Sequence, residues 1–398
     1  MKRRSSGAIT LGAVALVASW AFGSTPTMVV GIGLLLAGLS ARLWARRARG
    51  SLDVERRVVP GERVEGGGVR VVVRVRRRRH LLGGTVTVRQ RLGSHENCVR
   101  MHGPQAAVSF AGLPRGRHVF VPLEVTLTDP LGLERVVERF DDGLSVLIRP
   151  RIPTLRSVFS SQGARESGAT RSAFRRPTGF EIHAIREYVP GEPLRAVHWP
   201  STARRGRLMV KELDDAPRDE LVLVLDQDAA GTAGPAGASS FDAAVRAVGA
   251  LAHAHALWGR RVVIIGSSAS FEPVRVSSAG HDWDVALDAL AAVMPVAGAR
   301  VAGTLRAAAG PLAHAREIIV VTGCPDVAVQ PLVELRSRGR SAGLVAVAAE
   351  TFVGRPRDRA LPSLLRAVAQ GIPVAVVTAD TSIEDALSGG LARSLSAS

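Results

Sequence analysis

From Ser5 to Ala41 the chain carries no charged side chain, and Gly-Ser-Thr-Pro-Thr at 23–27 divides that stretch into two apolar halves. Few structures accommodate such a run. Each half is about the 17–20 residues that a helix needs to cross a hydrocarbon core, where helical hydrogen bonding satisfies every backbone group. Residues 1–50 therefore predict a transmembrane helical hairpin that partners the lipid bilayer. Lys2, Arg3 and Arg4 precede the first half, and Arg42, Arg46, Arg47 and Arg49 follow the second. The positive-inside rule then puts both ends, and the bulk of the chain, on the cytoplasmic side of the cell membrane. A cleaved signal peptide also opens with basic residues and an apolar run, but no A-x-A site follows the first half and a second apolar segment arrives at once.

Beyond Gly50 the period changes to two. Val69, Val71, Val73 and Val75 alternate with Arg70, Val72, Arg74 and Arg76, which suits a strand with one buried and one wet face. Similar runs at 85–88, 106–110, 117–128, 133–140 and 144–149 are broken by Gly, Pro and Asp. Residues 51–150 thus predict an all-β sandwich, immunoglobulin-like in strand number. Residues 151–177 are polar and read as a flexible connector. The 398 residues and 46% hydrophobic content are enough for two cores and an anchor, so a multidomain chain is expected. Cys98 and Cys324 lie far apart, outside any metal or redox spacing.

The charge is +17. Such a balance favours anionic lipid headgroups or nucleic acid. It also arises wherever Arg takes the surface positions that Lys fills elsewhere. The basic stretch is not interleaved with aromatic residues as in a single-strand binder, which weighs against nucleic acid as a partner; Arg76 to Arg79 reads either as a nucleic-acid or lipid patch or as a solvated strand end and loop.

From 219 to 398 apolar runs and helical patterns alternate. Strands are expected at 221–226, 261–266, 318–322, 343–347 and 374–378, and helices at 241–257, 283–293, 327–338 and 361–370. Phe241, Val245, Val248 and Ala252 fall on one helical face. This alternation predicts an α/β domain with a mostly parallel sheet.

Between them, residues 178–218 hold TGFEIHAIREYVPGEPLRAVHWPSTARRGRLMVKE, with the chain's single Tyr and one of its five Trp residues. Gly179, Glu181, Arg186, Tyr188, Gly191, Arg195, Trp199, Ala203, Arg204, Gly206, Leu208, Val210, Lys211 and Glu212 match a pattern of roughly G-x-E-F, L-R-x-Y-x-x-G-D-x-x-R-x-I-x-W and A-R-x-G-x-L-x-V-[KR]-E. The segment resembles the signature of the bacterial domain-of-unknown-function 58 family. Ile182, Ile185, Glu192, His198 and Pro200 depart from it. The resemblance implies a membrane hairpin, a β-rich domain, the signature and a von Willebrand factor A-like domain, in that order.

It also implies a cation site above the sheet, normally D-x-S-x-S after the first strand, a Thr on a later loop and an Asp after the fourth strand. Asp226, Asp228 and Thr304 occupy three such positions, but Ala230 stands for the second Ser and Gly323 for the later Asp. This degenerate set could hold Mg2+ with several waters. Alternatively Asp226 and Asp228 cap a turn. The signature residues Glu181, Arg186, Tyr188, Gly191, Arg195, Trp199, Arg204, Gly206 and Lys211 form either a partner-binding surface or a structural wrap on the α/β domain.

No phosphate loop, H-E-x-x-H or complete nucleophile elbow occurs. His253 and His255 are two apart, on different faces of a helix. The expected function is a non-enzymatic, membrane-anchored scaffold or adaptor. By family resemblance its partner is a MoxR-type AAA+ ATPase, in envelope assembly or complex maturation. The alternatives are a hydrolase or transferase using Asp226, Asp228 and His198 between the signature and the α/β domain, or a basic membrane-tethered nucleic-acid binder.

Overall fold

A computed structural model describes residues 4–59, 61, 63–77, 83–158, 166–167, 182–187, 197–213, 220–277, 280–356 and 361–389. It divides into two compact units, Met1–Arg149 and Pro150–Ser398.

The first unit opens with helices α1 (Arg4–Phe22) and α2 (Thr25–Ala48), both long and apolar enough to span a membrane. They turn back on each other at Gly23, whose φ of 64° is the left-handed conformation that favours glycine. Ser19 Oγ donates to Ser24 O at 2.7 Å across this turn. Their shared seam is made of small residues, Ser5, Gly12 and Ser19 on α1 and Gly31, Gly38 and Ala41 on α2, while Ala45 and Ala48 at the end of α2 are buried in the β-rich core. The seven-residue spacing keeps one seam facing the partner helix. Small side chains there let the two backbones approach closely. Bulk points outward instead, with Leu11, Trp20 and Leu36 all exposed.

The strands that follow are β1 (Leu52–Val58), β2 (Gly68–Arg77), β3 (Thr85–Leu92), β4 (His95–Met101), β5 (Gln105–Ala111), β6 (Gly116–Val119), β7 (Leu123–Thr128), β8 (Arg135–Phe140) and β9 (Ser145–Ile148). All pairings are antiparallel, in sheets of order β1-β2-β5 and β4-β3-β7-β8 with a separate β6-β9 pair. Val69, Val71, Val73 and Val75 enter one core together with Val88, Phe110, Val125 and Ile148, as the alternation predicts. The run expected as one strand at 117–128 is two strands in different sheets, parted at Pro122, which has no amide to donate. Strands β1 and β4 went unread. The first is LDVERRV, too charged for a core strand, because Arg56 is buried by pairing with Asp142, donating to Gln90 and lying over Phe120. The second, HENCVRM, buries no residue fully.

The second unit adds the short pair β10 (Ser157–Val158) and β11 (Glu166–Ser167), the ribbon strands β12 (Ile182–Glu187) and β13 (Met209–Leu213), and helix α3 (Trp199–Arg205) between the latter two. Its centre is a sheet of β14 (Glu220–Leu225), β15 (Arg261–Gly266), β16 (Val274–Val276), β17 (Glu317–Thr322), β18 (Ser341–Val347) and β19 (Val374–Val377). The strand order is β16-β15-β14-β17-β18-β19, parallel throughout except for the edge strand β16. Helices α4 (Ser240–Leu257), α5 (His281–Ala292) and α10 (Ile383–Gly389) contribute to the core on one face. On the other lie α6 (Val301–Ala307), α7 (Pro311–His314), α8 (Pro325–Ser337) and α9 (Leu361–Ala369). Covering on both faces explains the unbroken apolar run of β14, where Leu221 to Leu225 are fully buried. A capping box starts α4: Ser239 Oγ accepts from Asp242 N, and the Asp242 carboxylate accepts from Ser239 N. Edge strand β16 and helices α6 and α7 were not expected; each is short and lacks a full period of apolar residues.

Candidate functional site

Two groups of residues stand out in the second unit. One gathers at the carboxyl ends of β14, β15 and β17, the position where open parallel sheets bind ligands. Asp226, directly after β14, is 5% exposed. Its Oδ2 accepts from Thr322 Oγ1 at 2.5 Å, and its Oδ1 accepts from Asp228 N at 3.1 Å. Ser267 Oγ approaches that same oxygen at 3.3 Å but lies nearer Ala299 O, at 2.6 Å. Burial drives the Asp226 carboxyl above the usual carboxylate range, against the opposing pull of the Thr322, Asp228 and Ser267 hydrogen bonds.

The neighbours are equally committed. Asp228 Oδ1 accepts from Ala230 N and caps a short 3-10 turn, Ala229–Gly231. Thr304 Oγ1, on α6, donates to Ser267 O at 3.2 Å. Thr322 Oγ1 also accepts from Cys324 N at 2.8 Å. Gln227 is 2% exposed; its Oε1 accepts from Ser268 N and its Nε2 donates to Met294 O. Burial, then Asp226, Asp326 and Asp228, push the Cys324 thiol up to about 12, so it is no thiolate nucleophile.

The oxygen-rich chemistry is right for a hard cation, and part of it is already engaged in hydrogen bonds within the cluster. Asp226 is the one carboxylate at the buried centre of the cluster, and Asp228 Oδ1 accepts from Ala230 N at its edge. Among the described residues no group of three or more His, Cys, Asp or Glu could hold a metal ion. A further carboxylate at 323 is excluded locally, because any Cβ on Gly323 would overlap the Gly231 carbonyl oxygen. Asp226, Asp228 and Thr304 are linked by hydrogen bonds: Asp228 N donates to Asp226, and Ser267, whose carbonyl accepts from Thr304, also donates to Asp226. Sequence reasoning missed Thr322, Ser267 and Gln227. Their importance comes from strand ends that only the sheet brings together.

The second group is the signature. Strands β12 and β13 pair antiparallel, with Ile185 opposite Lys211, Arg186 opposite Val210 and Glu187 opposite Met209. The two ends of the signature thus form a ribbon that holds the intervening segment as its connection. Helix α3 is fixed to that ribbon by His198 N donating to Met209 O at 2.7 Å and by Met209 N donating to Thr202 Oγ1 at 3.0 Å. His198 Nδ1 accepts from Ser201 N and caps the helix. Gly206, φ 64°, closes it by donating to Thr202 O. Val197 and Met209 are buried.

Trp199, by contrast, is 63% exposed, and Arg204 and Arg205 on the same helix are exposed as well. Glu181, Tyr188, Gly191 and Arg195 lie outside the described residues, as does most of the 151–177 connector. The His198 ring serves α3 while Asp226 serves the strand ends, so the two groups belong to different hydrogen-bond sets. His253 and His255 also separate: the first stacks on Trp283, and the second is buried beside Arg260.

The fold and its strand-end cluster define an α/β domain with a mostly parallel sheet, preceded by a β-rich unit and two apolar helices. The sequence profile of the family described as "Protein of unknown function DUF58" matches residues 184–376, which covers the ribbon and the sheet through β19. The chain is also similar to the "Uncharacterized protein YeaD" of Bacillus subtilis (strain 168), 25% identical over 118 residues. That alignment spans 30% of this chain and 30% of the relative.

Proposed function

We propose that the protein is a membrane-anchored scaffold or adaptor whose second unit binds protein partners, and that it is not an enzyme. The observation that carries this reading is α3. A tryptophan 63% exposed beside two exposed arginines, on a helix pinned at both ends, is a preorganised hot-spot arrangement. On this reading the second unit is a von Willebrand factor A-like domain and the first an immunoglobulin-like sandwich. The hairpin crosses the cell membrane and both units face the cytoplasm. The partner is a MoxR-type AAA+ ATPase, acting in envelope-related assembly or complex maturation; both come from the resemblance in the signature.

Crosslinked capture from native membranes with wild type and a Trp199→Ala, Arg204→Ala variant tests this. Both side chains are exposed, so the variant folds. Recovery of an AAA+ ATPase by wild type, reduced tenfold or more in the variant, is expected for two hot-spot losses of about 1 kcal/mol or more each. Equal recovery moves the contact away from α3, and absence of any ATPase from both overturns the partner.

A further inference from the structure

The hairpin does not hang from the β-rich unit by a linker; it is built into it. Ala45 and Ala48 of α2 enter the β core with Leu52, and Trp44 packs against Gly84. At the other helix, Ser5 N donates to Leu133 O and Ser5 Oγ donates to the buried Glu134. Gly50 N donates to Glu138. The Ser5 carbonyl lies against Gly38 across the hairpin, and Arg42 donates to Ser6 Oγ at 2.9 Å. The level of Ser5 and Arg42 is therefore the edge of the apolar zone on both helices, and the 129–134 loop sits at that level.

That loop is rigid and oddly tipped. The Asp129 carboxylate accepts from Leu131 N at 3.0 Å and Glu134 N at 2.6 Å, and Pro130 packs on Gly83. These contacts hold Leu131 outward, 59% exposed. Beyond Arg42 on α2 come Arg46, Arg47 and Arg49, all exposed. At about 1.5 Å per residue they stand roughly 6–10 Å past the apolar edge, the depth of lipid phosphates.

We propose that the 129–134 loop together with Arg46, Arg47 and Arg49 forms a seat for an anionic bilayer surface, with Leu131 immersed where acyl chains meet headgroups. Leu131 is the apolar contact and the arginines are the charge-complementary one, attracted to an anionic surface. The consequence is orientation: the β-rich unit lies on the membrane in one pose. This rests on the reading of α1 and α2 as membrane-spanning.

The test reads immersion by spin labels on single cysteines at Leu11→Cys, Leu131→Cys and native Cys98, in the full chain with the other cysteines changed to Ser. Reconstitution is into phosphatidylcholine vesicles with and without phosphatidylglycerol. Leu11, exposed in mid-α1, reports the span itself; Cys98 is exposed on β4, opposite Arg89 and well up the strand from Gly84. The expected result is oxygen accessibility at 131 several-fold above that at 98, approaching that at 11. It should increase with phosphatidylglycerol, and an Arg46→Gln, Arg47→Gln, Arg49→Gln variant should lose that increase. Immersion at 11 with a water-exposed 131 overturns the seat and leaves the span intact. Water exposure at both overturns the spanning reading too. Protection of 131 from oxygen and from a water-soluble relaxant alike means a protein interface, and overturns the lipid assignment.

Discussion

Buried charge decides stability residue by residue. Arg260 and Glu317, at the amino ends of β15 and β17, pair at 2.5 Å with side chains 6% and 4% exposed, and His255 Nδ1 lies 3.3 Å from Arg260. Removing one partner leaves the other charge buried without its ion pair. Arg260→Met should lose about 3–5 kcal/mol by urea unfolding of the second unit, while Arg260→Met with Glu317→Leu recovers most of it. A single variant as stable as wild type would contradict the pairing. Asp226 sets a pH dependence of defined sign. Its folded value is raised, so the folded chain holds the proton more tightly than the unfolded one. The contribution is full below the unfolded carboxylate value and is lost as pH rises through the folded value. The thermal midpoint of the second unit should therefore carry a downward slope above the ordinary Asp range, and Asp226→Asn should flatten it.

Elements here are specified by different signals, and so they were unequally legible. Strand β2 announces its period because one face is buried throughout, and helix α4 is read from its apolar residues although it is buried on nearly every face. Strands β1 and β4 were invisible because their placement comes from the Arg56 network and from edge pairing. The hairpin was visible as two apolar runs, but its seam was not, since glycines in an apolar run give no period by hydropathy. The seam makes a matched prediction. A Cβ at Gly12 would lie 2.9 Å from Gly31 O and from Leu35 N, both backbone, whereas a Cβ at Gly33 meets nothing within 4 Å. Gly12→Leu should destabilise the hairpin by about 1–3 kcal/mol, read as a lower thermal midpoint in detergent, and Gly33→Leu should not. Equal effects would place the helix contact elsewhere.

Across the whole molecule the cores are separate. One draws on residues 44–148, and the other two draw only on residues from Ile152 onward. Residues 150–398 expressed alone should keep the circular dichroism and unfolding midpoint of the second unit within about 1 kcal/mol of the full chain; failure to fold would mean that the first unit supplies part of its stability. The sequence by itself determined the order of parts, the two apolar helices, the alternating β-rich unit and the parallel α/β sheet. Those follow from hydropathy periods, which are local. It also singled out Asp226 and Asp228 after the first strand of the sheet and, by the family resemblance, Thr304, which lies on helix α6. Only the tertiary structure decided what those residues do: Thr322 lies 96 positions from Asp226 yet bonds it, and Gly323 is pressed against Gly231 so that no carboxylate fits there. Such pairings are set by strand order and close packing, which no local period records.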